Sequence, residues 1–114
     1  MPLEKRTRVE IFLPIRGDTV ADRTVTEWLA EELAFSRGGS TLTTPFTGLY
    51  TSTTEQTITQ DQIQILFCDF DLDSDDLDGR TELLTYLTNV RLLLMEILHE
   101  EDVWIIYHSI TRIS

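Results

Sequence analysis

A single cysteine, Cys68, stands among the 114 residues, so no disulfide closes within the chain. The fold must hold without an intrachain disulfide, which suits a reducing compartment. Proline and glycine are sparse, at three and five, and each therefore marks a particular turn or break. No apolar run nears the ~20 residues needed to cross a bilayer, and the opening Met-Pro-Leu-Glu-Lys-Arg shows no signal-peptide core. The expectation is a cytoplasmic protein with no membrane partner. Bases are scarce too: nine Lys and Arg face 20 Asp and Glu, a net charge of −11. Only Lys5, Arg6 and Arg8 cluster, which argues against nucleic acid as a partner. Such acidity aids solubility and favours basic partners. The 41% hydrophobic and 25% charged content that remains is that of one globular domain spanning residues 1–114.

The stretch Ile58 to Asp69 predicts the middle strand of a sheet, with Ile63, Ile65 and Phe67 alternating on one face and Leu66 and Cys68 on the other. Val9, Ile11 and Leu13 alternate in the same way and stop at Pro14. Arg16-Gly17-Asp18 follows as a turn. Thr24 and Glu27 form a capping box for a helix over 24–37, whose buried face is Val25, Trp28, Leu29 and Leu33. Gly38 ends it in the left-handed conformation. From Ser40 to Tyr50, threonines alternate with Leu42, Phe46 and Leu49. With Pro45 and Gly48 inside it, this reads as an edge strand with a bulge, and Thr51 to Gln56 as the loop that follows. Asp69 to Asp78 carries six aspartates and no base, a solvated loop. Asp78 or Thr81 then caps a second helix over 79–100 with a stripe of Leu83, Leu87, Val90, Leu94 and Ile97. The closing segment, 102–111, is apolar on both sides.

Strand, helix, strand, strand, helix, strand with right-handed crossovers predicts an α+β, ferredoxin-like β-α-β-β-α-β fold: a four-stranded antiparallel sheet with two helices on one face. The first and third strands are then central.

A helix ending in Arg37-Gly38-Gly39, then Ser40-Thr41, Gly48-Leu49-Tyr50 and an extended apolar strand resembles a layout in P-II-like signalling proteins. It is similar, too, to a layout in uncharacterised bacterial domains of ferredoxin-like fold. The resemblance covers Glu27 to Phe67 and implies the fold and a regulatory role. It does not carry over nucleotide binding, because aspartates stand after the third strand where those proteins place bases. No cofactor is expected.

Three groups of residues invite chemistry. Gly38, Gly39, Ser40 and Thr41 suit an anion cradle of backbone N–H groups, although a helix cap followed by a tight turn explains them as simply. Asp71, Asp73, Asp75 and Glu82 fall at positions 1, 3, 5 and 12 of a calcium loop. Asp76 occupies position 6, where that loop needs glycine, so no metal site is expected. Cys68 and His108 would form a nucleophile and base only if neighbouring strands bring them together.

The sheet itself makes the stronger statement. With Val103, Ile105 and Tyr107 turned to the helices, Phe12, Leu66, Cys68, Trp104, Ile106, His108 and Ile110 are expected on the opposite, uncovered face. An apolar patch of that size calls for a cover. A homodimer is the favoured expectation and a protein partner the next. The corresponding function is a non-enzymatic binding or regulatory module. The alternatives are a small dimeric α+β-barrel enzyme with His108, Cys68 and Trp104 around an apolar ligand, and an acidic inhibitor that mimics nucleic acid.

Overall fold

The computed structural model describes residues 3–15, 20–51 and 58–113. The elements run β1 (Leu3–Ile15), α1 (Val20–Arg37), β2 (Thr41–Leu42), β3 (Phe46–Thr51), β4 (Ile58–Phe70), α2 (Leu77–Leu98) and β5 (Ile105–Ile113). All strand pairs are antiparallel. β4 lies between β1 and the β2–β3 edge, and β5 forms the other edge. The five segments thus occupy four strand positions of an α+β ferredoxin-like fold, with β1 and β4 central as expected. The Arg16-Gly17-Asp18 turn, and the expected Thr51–Gln56 loop beyond Thr51, lie outside the described residues.

The edge strand breaks where Pro45 denies the ladder an N–H. Thr43 bridges the break. Its N–H donates to Ile65 O and its hydroxyl accepts from Ile65 N–H, both at 3.0 Å. Gln64 Nε2 adds a bond to Thr43 O.

Helix α1 begins at Val20, ahead of the expected capping box, so Thr24 and Glu27 lie inside it. Gly38 follows at φ +89° and donates its N–H to Ala34 O, the left-handed stop that was expected. The cap of α2 is Asp76 rather than Asp78 or Thr81: its carboxylate accepts from Gly79 N–H at 3.1 Å. Thr81 instead bonds back to Leu77 O within the helix. The helix ends on His99 at φ +54°. Its buried stripe is Leu83, Leu87, Val90, Leu94 and Leu98, with the expected Ile97 displaced outward to 40% exposure.

Both helices pack on one face of the sheet. Leu29 and Leu33 of α1 and the α2 stripe close over Val9, Ile11, Leu66, Cys68, Phe70 and Val103. Here one expectation is overturned. Leu66 and Cys68, assigned above to the open face, are core residues at 0% and 2% exposure. The register Val9↔Cys68, Ile11↔Leu66 runs without a bulge, so directly opposed residues share a face and even positions of β4 point to the helices. Ile65 and Phe67 therefore stand on the open side. Ile63 shares their side by register and is buried there, outside the core cluster.

Candidate functional site

The open face is built row by row from the β4–β1–β5 register. Ile65, Phe12 and Trp104 make one row. Phe67, Glu10 and Ile106 make the next, followed by Asp69, Arg8 and His108, then Arg6 and Ile110, and last Glu4 and Arg112. It is therefore apolar at the Phe12 end and charged at the Glu4 end. Trp104 and Ile106 are 52% and 44% exposed. The indole of Trp104 is held by contacts that include Nε1–H donating to Asp102 at 3.0 Å and the ring meeting Phe12 edge-on at 6.3 Å. Asp102 is held in turn by Arg91, whose hydrogen bond keeps its carboxyl below the ordinary carboxylate range. Ile110 is half-buried and His108 exposed on the same face.

At the charged end, Arg8 grips Asp69 through two bonds of 2.8 and 3.0 Å. That bidentate pair lowers the Asp69 pKa and raises that of Arg8, chiefly through the hydrogen bonds. The sign for stability follows. A carboxyl whose folded pKa is depressed stabilises the fold at pH above its unfolded value of about 3.9, and the gain is lost as pH falls through the folded value. Asp69→Asn is accordingly expected to lower the denaturation midpoint at neutral pH and to leave it nearly unchanged in strong acid. Equal losses at both pH values would refute this account.

β2 pairs with β4 at Leu66 and Phe67, and among the described residues no strand pairs with the outer edge of β4 from Cys68 to Phe70. The turn from α1 into β2 crosses there and is tied down on both sides. Cys68 Sγ donates to Gly39 O at 3.3 Å, and the Ser40 hydroxyl donates to Ala30 O at 2.8 Å. Between this turn and the arginines of β1 and β5 opens a cleft of about 430 Å³. Gly38, Gly39, Ser40 and Thr41, the residues of the expected anion cradle, are among its lining, together with Phe67, Cys68 and Asp69. The charge comes from arginines far apart in the chain, of which the sequence shows only Arg6 and Arg8 as neighbours. Arg6, Arg8, Arg37 and Arg112 all line the cleft, four of the nine bases of the chain. Arg6, Arg8 and Arg112 have the same parity once β1 is laid antiparallel to β5, which is the signal that would have found them.

The aspartate loop is exposed but anchored. Thr7 Oγ1 donates to Leu72 O at 2.7 Å, Ser74 and Ser109 hydroxyls meet at 3.0 Å, and Arg6 stands 3.6 Å from Asp71. Asp73 accepts from Asp75 N–H and so organises the turn itself. Among the described residues no three of His, Cys, Asp and Glu gather as metal ligands, so Asp71, Asp73, Asp75 and Glu82 are not brought together.

Cys68 and His108 are separated. They lie on strands flanking β1 and on opposite faces of the sheet, which dismantles the pocket of His108, Cys68 and Trp104. Burial, with Asp69 nearby, pushes the Cys68 thiol up to about 11, so it stays protonated and unreactive near neutrality. Iodoacetamide at pH 8 is expected to leave native Cys68 unmodified and to label it promptly in denaturant. Rapid labelling of the native protein would contradict that burial.

No helix of the described residues is long and apolar enough to cross a membrane. Comparison of the chain with protein-family models, curated proteins and solved structures finds no match in any of the three. The fold and the geometry of its open face are what the functional reading rests on.

Proposed function

We propose that the protein is a non-enzymatic, cytoplasmic binding or regulatory module that works as a homodimer joined through the apolar half of its open sheet face. The observation that carries this reading is the exposed, rigidly held Trp104 beside Ile106, on the side of the sheet that neither helix covers. A second copy suits the surface because the adjoining rim offers both signs: Arg6, Arg8 and Arg112 alternate with Glu4, Glu10 and Asp69. A two-fold axis through the Trp104 patch would bring the mixed-sign rims of both copies to the same seam, with no excess of one charge. The separation of Cys68 from His108 supports the non-enzymatic part of the reading.

Light scattering on the wild type and on Trp104→Glu tests the proposal. The wild type is expected at twice the chain mass. The variant places a carboxylate beside Asp102 within an apolar contact, which should weaken association by ~100-fold or more, equivalent to about 3 kcal/mol, and leave folded monomers. A wild type that stays monomeric at high concentration overturns self-association. A wild-type mass matched only with a different protein bound would make the face heterologous.

A further inference from the structure

We infer that the cleft between the α1–β2 turn and the open-face arginines is a binding site for a small polyanion, a molecule carrying two or more phosphate or carboxylate groups. In a chain of net charge −11, four arginines line one cleft whose single lining carboxylate is Asp69. Two of the four have donors left over. Among the described residues, the buried side-chain nitrogens and oxygens without a hydrogen-bond partner are Arg6 Nε and Arg37 Nε, and both residues belong to the cleft. An unpaired buried donor is costly, so its concentration at one place points to an acceptor supplied from outside.

Arg37 is the centre of the argument. Its guanidinium lies 4.6 Å from the Phe70 ring centroid and 4.8 Å from that of Tyr86, and it forms no ion pair with a described carboxylate. The two rings hold the cation beside the cleft, and a guanidinium's planar N–H fork is the group that phosphate and carboxylate match bidentately. Arg112, on the far side, pairs among the described residues with Glu4, at 2.8 Å and half in solvent. Such a pair contributes little and exchanges readily for a better acceptor. A volume of about 430 Å³ exceeds what one inorganic phosphate fills and lies in the range of small-ligand pockets. Two anionic groups bridging Arg37 and Arg112 match both the charge and the room. The apolar patch around Trp104 lies outside this cleft, so the two sites are tested separately.

Calorimetric titration of the full chain with inorganic pyrophosphate, and separately with citrate, at low ionic strength decides the matter. Saturable binding of one anion per chain is expected, weakened by added sodium chloride. Arg37→Gln and Arg112→Gln should each weaken it by about 10-fold, the loss of a charge-assisted hydrogen bond. Arg80→Gln, an equal charge change on the exposed start of α2, should not. Arg112→Gln guards against the chance that Arg37→Gln disturbs the fold. Binding of pyrophosphate alone marks a phosphoryl ligand, and binding of citrate alone a polycarboxylate. Binding of both marks a site read by charge. No saturable binding of either, or an equal loss in Arg80→Gln, overturns the proposal.

Discussion

Gly79→Ala is expected to destabilise the protein, although alanine is the better helix former. A Cβ at position 79 would stand 2.5 Å from the backbone oxygen of Asp73 and 3.3 Å from its carbonyl carbon. That oxygen cannot move freely, because it accepts from Asp76 N–H at 3.2 Å and so shapes the turn from which Asp76 caps α2. Helix propensity alone predicts a gain of up to about 1 kcal/mol, and overpacking against backbone a loss of about 1–3 kcal/mol. Sterics and the loss of the cap act together, so the net change is unfavourable. Gly79→Val, larger and β-branched, should lose more. With about 4–8 °C per kcal/mol for a domain near this size, Gly79→Val should lower Tm by roughly 10 °C. Thermal unfolding followed by circular dichroism measures both variants. A raised Tm in Gly79→Ala would mean that the turn yields and the close approach is of no consequence.

The second large effect separates neighbours in β4. Leu66 is fully buried beneath the helices, while Ile65 is half-buried on the open face. Leu66→Ala should cost about 2–5 kcal/mol, a large part of the 5–15 kcal/mol that holds a domain together. Ile65→Ala removes less shielded surface and should cost clearly less. Urea denaturation at a concentration where chains are monomeric reads the difference directly. The reverse order of midpoints would mean that the strand has the opposite face inward.

That comparison also locates where the sequence was and was not legible. Element order, the two central strands and the left-handed stop at Gly38 follow from local patterns, each set by residues close in the chain. The face of β4 does not. Gln62 and Gln64 share parity with Leu66 and Cys68, so that side looked solvated. In the fold the glutamines bond to Thr47 and Thr43 of the edge strand, and the apolar half of the same side is core. Asp69 held the answer, because its partner Arg8 has the parity of Phe12 rather than of Val9 and Ile11. The cap of α2 was misplaced for a similar reason: any of several aspartates could serve, and the Asp73–Asp76 turn selects one. The arginine cleft was least visible. Its members come from β1, α1 and β5: the sheet register aligns Arg6, Arg8 and Arg112, and the packing of α1 on the sheet adds Arg37.

The two margins of the sheet differ in what they offer to another chain. On one side, Thr43 to Pro45 breaks the margin into short pieces, and a strand docking there would meet a proline and a change of direction. On the other, β5 runs unbroken from Ile105 to Ile113 and, among the described residues, is paired only with β1. Its outward backbone groups are a template for strand addition. At the opposite margin Pro45 interrupts the ladder, so the sheet offers a continuous run of backbone groups on its β5 side alone among the described residues.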